Sequence, residues 1–377
     1  MSSARFKRLQ QATGFNLKPE GLLLCQPLRS ILKPATMLMY DWMHVYMVSG
    51  AFNHEAGLLL SLLHQELRIS NKEIHIFVNK FTWPKLMPAT GKAVFEKRSG
   101  TGELKCSASE GLSCYSLLRL FIQTLVVPRA AGPGHLLAAC SSFVALCNVI
   151  DILRTLSKGT VNSSDLHAAV VFHLNLYKSA YTVDQWYPKL HYALHLGTML
   201  EQHGCLVSCF VHERKHKELK RTANMLQNTS GSFEKTILQN CLYSQVEWQK
   251  TSSLLFDRPS LNNPRPCTPG LVQVVCDALG GVVGDLMTSR DVTYTQGQCA
   301  SEGDVVRYDT GSGQQVGQVL FHVSVDGTVC TCIKPWISLG GVQYDANTAE
   351  PVLFLSSCIL DNCIHCLSGD IGLALPC

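Results

Sequence analysis

The chain is 377 residues long, with 46% hydrophobic and 16% charged residues, too apolar for a disordered protein and long enough for two globular domains. A net charge of +4 excludes an overall basic, nucleic-acid-coating composition, so any basic surface has to be local. Seventeen cysteines, an odd number, and an N-terminus without the apolar core of a secretion signal favour reduced thiols in a nuclear or cytoplasmic protein over a secreted disulfide scaffold.

Residues 1–34 carry Arg5, Lys7, Arg8, Lys18, Arg29 and Lys33 against one acid, Glu20, and are interrupted by Pro19, Pro27 and Pro34. They read as an extended basic lead-in. The run ATMLMYD, Ala35 to Asp41, reads as a buried strand with Asp41 at its C-terminal end, followed by one or two helices. Between Ile69 and Leu206 the pattern is helical, with breaks at Trp83-Pro84, KRSGTGE, PRAAGPG and KGTVNSS.

Within that region SASEGLSCYSLLRLFIQTLV opens on Ser107 or Ser109 as a helix cap, and Glu110 stands three residues after Ser107. DLHAAVVFHLNLYKSAY reads as another core-facing helix. The apolar run from Leu136 to Ile150 is short of the roughly 20 residues a membrane helix needs, so a buried helix and no membrane contact are expected. LVSCFV, Leu206 to Val211, reads as a second short strand ahead of the helical HERKHKELKRTANMLQ. The four prolines of DRPSLNNPRPCTPG mark residues 256–270 as a linker between a first domain, 35–255, and a β-rich domain, 271–377. The latter carries short alternating runs such as GDVVRYD, QVGQVLFHVSV and PVLFLSSCIL, the pattern of a small barrel or sandwich.

Several stretches could carry chemistry. On a helix, Glu213, His216, Lys217 and Lys220 share one stripe, flanked by Arg214, Lys215 and Arg221. This is either an acid set beside a cationic ridge or an ordinary solvated face with a Glu213–Lys217 pair. Asp41 is either a strand-end acid placed for ligand binding or the cap of the next helix, with His44 one turn on. Two converging carboxylates, Asp41 and Glu213, would suit Mg²⁺ or Mn²⁺, hard cations that take oxygen ligands.

His191 and His195 stand at i, i+4, metal-binding spacing where a third ligand exists, but without an HExxH signature. Cys330, Cys332, Cys358, Cys363 and Cys366 with His365 lack the paired CxxC knuckles of a zinc module, so buried free thiols are expected there and zinc is not. No phosphate-binding Gly-rich loop and no GxSxG elbow occurs.

Taken together, YDWMHVYMVSGAFNHEAGLLLSLL and YPKLHYALHLGTMLEQHGCLVSCFVHERKHKELKRTA resemble DDE-type cut-and-paste DNA transposases of the CACTA and Kyakuja-Dileera-Zisupton type. The matching positions are Asp41, Met43 and His44 with Gly50 and Glu55; Pro188, Lys189, His191 and His195; and Glu213, His216 and Lys220. The resemblance covers about residues 20 to 250. It implies an RNase H-like core with a large helical insertion, in which three carboxylates hold two divalent ions that cut and rejoin DNA. Glu213 would be the last carboxylate and Asp41 the second, with His44 and His216 supporting them. In some related families an Asp-x-x-His pair stands just downstream of the second acid, and Asp41 with His44 fits that alternative role.

The chain departs from the family in one respect: the 40 residues before Asp41 contain no Asp and no pattern of three strands. A truncated or degenerate core, inactive alone, is the expectation. The C-terminal region resembles an SH3-like barrel. The fold expected is therefore α-rich α/β: a partial RNase H-like core with a helical insertion, plus a small all-β SH3-like domain. The expected function is DNA binding in a nuclear protein, through phosphate contacts from Arg214, Lys215, Lys217, Lys220, Arg221 and the lead-in. The competing reading is a non-enzymatic helical scaffold whose barrel binds protein.

Overall fold

The computed structural model describes residues 3–13, 25–29, 31, 39–87, 89–97, 104–130, 134–156, 161–209, 219–225, 233–251, 258–281, 284–294, 298–347 and 349–376. The protein is mixed α/β with a C-terminal antiparallel sheet. It divides into two compact units, residues 1–76 with 90–217, and residues 77–89 with 218–377.

The described residues of the first unit form helices and no strand. Their boundaries follow from local chemistry. Ser107 caps the helix Ala108–Phe121 and forms the expected box with Glu110: the Ser107 N–H donates to Glu110 Oε2 at 2.7 Å, and the Glu110 N–H donates to Ser107 Oγ. Asn162 caps Ser163–Ala180 through the Ser164 N–H. Gly50 precedes the helix Ala51–Leu67 where the chain turns back on the helix Trp42–Tyr46, and a Cβ there would stand 2.4 Å from the Tyr46 carbonyl carbon. Only glycine fits that approach.

The helix His135–Thr155 packs against Ser163–Ala180 and Ala51–Leu67. It buries Leu136, Ala139, Phe143, Leu146 and Ile150, spaced three and four apart on one face. It is longer than its apolar run suggested, because Asp151 is accommodated by the Tyr115 hydroxyl at 2.6 Å and by an ion pair with Arg119. Ala108–Phe121 runs on through a π turn, Ile122–Val126, and a 3-10 turn, Val127–Arg129. The stretch Ala108–Arg129 and the helix His135–Thr155 are each long and apolar enough, by length and composition, to cross a membrane, and 61% of the most apolar part of each is buried inside the protein.

Three expectations are corrected. Ser3–Thr13, read as part of an extended lead-in, is a helix, since the prolines that interrupt the region begin only at Pro19. The stretch 256–270, read as a linker, contributes strands Ser260–Asn262 (β1) and Arg265–Pro266 (β2), which are too short to carry an alternating pattern. Residues 77–89 belong to the β-rich unit, where Thr82 and His365 exchange backbone hydrogen bonds and the Lys85 N–H donates to Asp304 Oδ1 at 3.0 Å.

That unit continues with the helix Pro269–Leu279, capped by Thr268, and with Leu286–Ser289 (β3), Asp291–Thr293 (β4) and Cys299–Ser301 (β5). Val305–Asp309 (β6), Gln314–Val325 (β7), Thr328–Gly340 (β8), Gln343–Asp345 (β9), Val352–Leu355 (β10), Ile359–Ser368 (β11) and Ile371–Pro376 (β12) follow. β1, β4 and β5 make a small sheet, and the rest pair in the order β10-β8-β9-β12-β11-β6-β7-β3-β2. An additional β7–β8 pairing closes β6, β7, β8, β9, β12 and β11 into an antiparallel ring, which removes those strands' free edges.

Alternation places successive residues of β6 on opposite sides: Val305 packs with Val316, Trp336, Cys363 and Ala374, while Val306 packs with Tyr308, Val319, Ile333 and Ile359. Gly372 makes room for Trp336, whose ring stands 2.7 Å from where a Cβ would lie.

Candidate functional site

The first unit brings together three segments that are far apart in sequence. Asp41 caps the helix Trp42–Tyr46: its Oδ1 accepts from the Met43 N–H at 3.0 Å and from the Cys209 N–H at 3.2 Å, while its Oδ2 pairs with His44 Nδ1. The Trp42 N–H donates to the Val207 carbonyl at 3.3 Å. Burial alone would raise the Asp41 pKa, but hydrogen bonds from His44, Cys209 and Met43 outweigh it and hold the carboxyl below its ordinary range.

The PKLHYALH segment meets the same place from another side. Lys189 Nζ donates to the Val48 carbonyl, and the Tyr40 ring stacks on Tyr192 at 4.6 Å and on His195 at 5.6 Å. Pro188 opens the helix Pro188–Ala193, its missing N–H costing nothing at a first helical position. His191 and His195 face one another at 3.3 Å between Nε2 atoms. Burial, then the neighbouring His191, lowers the His195 pKa and favours its neutral ring. The helix Ser3–Thr13 packs against Pro188–Ala193 with Arg5, Lys7 and Arg8 exposed.

Not every expected element is present. Met39–Asp41 and 206–208 are unpaired as strands, and the remainder of those two runs, residues 35–38 and 210–211, lies outside the described residues. Glu213, Arg214, Lys215, His216 and Lys217 also lie outside them. Lys220 and Arg221 are exposed in a helical stretch over 219–225.

Among the described residues, the one group of three converging metal-ligating side chains is Asp41, His44 and Cys209, whose ligand atoms lie within 4.8 Å of one another. Neither the His191–His195 pair nor the barrel cysteines form such a group among those residues. Every described cysteine is a free thiol. Burial raises the pKa of Cys330 and pushes that of Cys332 up to about 11, as for thiols serving as small apolar side chains.

One polar pair was not anticipated. Glu55 and His173, both fully buried, bond at 2.7 Å between Oε2 and Nε2, linking the helices Ala51–Leu67 and Ser163–Ala180. Glu55 Oε1, His173 Nδ1 and the hydroxyls of Tyr46 and Tyr181 have no hydrogen-bond partner there. Glu55 stood out in the sequence as an acid on an otherwise apolar helix face and as a position of the transposase pattern, but nothing there marked His173 as its partner.

No family model, curated protein or solved structure matches the chain.

Proposed function

We propose that this chain is a transposable-element-derived DNA-binding protein built on a degenerate DDE transposase core, inactive in strand cleavage by itself. The observation that carries the reading is the meeting of DWMH, PKLHYALH and LVSC around Asp41, across more than 140 residues. These are the segments on which the transposase resemblance rests. Cys209, four positions ahead of Glu213, lies against Asp41. In this reading the first unit corresponds to an RNase H-like core with its helical insertion, and the β-ring to an SH3-like module.

Asp41 serves best as the structural Asp-x-x-His partner. One oxygen is held by two backbone N–H groups and the other faces an imidazole, with a thiol beside them. An ion such as Mg²⁺ or Mn²⁺ takes oxygen ligands in near-octahedral array, which nitrogen and sulfur neighbours do not provide. The residues described around Asp41 therefore do not fit a hard catalytic cation, and no cleavage step is derived through one. DNA contact falls instead to exposed cations: Arg5, Lys7 and Arg8 on the helix beside the site, and Lys220 and Arg221 with Arg214, Lys215 and Lys217 in sequence.

A second reading, a helical scaffold with a protein-binding barrel, is favoured by the lack of strands among the described residues of the first unit. Titrating duplex DNA binding against salt separates the two. Phosphate-directed binding weakens steeply with salt, whereas an adaptor shows no DNA affinity even at low salt.

A further inference from the structure

We propose that Asp41, His44 and Cys209 form a binding site for a borderline divalent metal, Zn²⁺ in particular, which staples the Asp41 turn to the 206–209 segment. The inference goes beyond the DNA-binding reading and does not depend on it.

The argument begins with the donors. A carboxylate oxygen, an imidazole nitrogen and a thiolate sulfur are three ligand types that Zn²⁺ accepts together and that hard cations do not. Asp41 and His44 stand three apart across the first turn of a capped helix, which places both side chains on one side of it. Cys209 comes from a segment 165 residues beyond His44, held there by the Trp42–Val207 backbone bond and by the Cys209 N–H donating to Asp41 Oδ1. The three ligand atoms lie within 4.8 Å of one another. The edges of a zinc tetrahedron with bonds of about 2.0–2.3 Å are roughly 3.3–3.8 Å, so side-chain adjustment alone closes the site.

The supporting contacts fit the same role. Asp41 Oδ1 is fixed by the Met43 and Cys209 N–H groups, leaving Oδ2 as the ligand atom and setting the plane of the carboxylate. Such outer hydrogen bonds orient metal ligands and raise affinity. The His44 side chain is 44% exposed, which leaves the metal a route from solvent and a fourth position for water. Binding exchanges protons for the metal: the Cys209 thiol releases its proton, and the proton held between Asp41 Oδ2 and His44 Nδ1 is displaced to solvent.

The test uses the full chain. Metal analysis of protein expressed with added Zn²⁺ and then desalted is expected to find about one zinc per chain, retained by Cys363→Ser and lost by Cys209→Ser and His44→Ala, each checked for retained helicity by circular dichroism. Cobalt titration of the metal-stripped chain is expected to give a thiolate-to-cobalt charge-transfer band that Cys209→Ser abolishes. X-ray absorption at the zinc edge of the unmutated chain does not depend on any variant folding, and is expected to show one sulfur scatterer at about 2.3 Å with nitrogen or oxygen ligands. No bound zinc, zinc retained by Cys209→Ser, or a shell of two or more sulfurs overturns the proposal, the last by placing the metal among other cysteines.

Discussion

The Cys209 backbone N–H donates to the Asp41 carboxylate at 3.2 Å, joining positions 168 apart in sequence. With the Trp42–Val207 bond it ties the turn at Asp41 to the 206–209 segment of the helical unit.

Removing that carboxylate should loosen the tie. Asp41→Ala loses a helix cap, worth about 0.5–2 kcal/mol, and charge-assisted bonds worth about 1.5–3 kcal/mol each. Because these losses overlap, we expect about 2–4 kcal/mol of destabilisation in urea unfolding followed by circular dichroism with chelator present, so that metal plays no part. Asp41→Asn, which retains an accepting oxygen, should lose less than half as much.

The Glu55–His173 pair predicts an asymmetry between single and double replacement. Glu55→Ala alone strands a buried imidazole and should cost about 3–5 kcal/mol. Replacing both partners with apolar residues of similar volume, Glu55→Met with His173→Phe, should recover most of that loss. A double-mutant cycle from urea midpoints measures the coupling, and additive single losses would contradict the pairing.

Gly50 and Gly134 both precede helices but differ in what surrounds them. A Cβ at Gly50 meets the Tyr46 backbone at 2.4 and 2.6 Å, whereas one at Gly134 meets nothing within 4 Å. Gly50→Ala should lower stability by about 1–3 kcal/mol or more, since backbone cannot step aside. Gly134→Ala should cost no more than about 1 kcal/mol, and urea unfolding of the two variants side by side measures the difference.

His322 predicts an acid-sensitive barrel. It is buried, with Nδ1 2.9 Å from Thr331 Oγ1, and burial lowers its pKa to about 4. The unfolded chain, with an ordinary histidine near 6.5, binds the proton more readily, so acid favours unfolding. The His322 contribution is complete above about pH 6.5, declines as the pH falls toward 4, and reaches a loss of about 3 kcal/mol below that. Urea unfolding of the native chain across this range should show the slope, and His322→Gln should reduce it.

How much of this was legible in the sequence depended on the range of the interaction. The Ser107–Glu110 box and the alternating strands of 303–325 were readable because cap and pleat are local patterns. The helix Ser3–Thr13 was hidden by its cations, which signal charge rather than conformation. β1 and β2 were hidden by length, since two or three residues have no measurable period. At the site, Asp41 and His44 were visible three apart, but the approach of Cys209 was not. No spacing rule anticipates a contact made across 165 positions. For the same reason the sequence offers metal ligands only as spaced pairs and clusters, His191 with His195 and the barrel cysteines, and nothing in it marks His173 as the partner of Glu55.

The central claim is DNA binding through exposed cations, and the salt dependence of duplex affinity tests it most directly. Fluorescence anisotropy with a labelled duplex should show log-linear weakening with salt, at a slope of about 0.9 per phosphate contacted, and with little dependence on base sequence. Lys220→Ala with Arg221→Ala should reduce that slope by up to about two contacts while leaving the folded structure intact, because both side chains are exposed. Absence of duplex binding by the unmutated chain at low salt would contradict the account and leave the adaptor reading in its place.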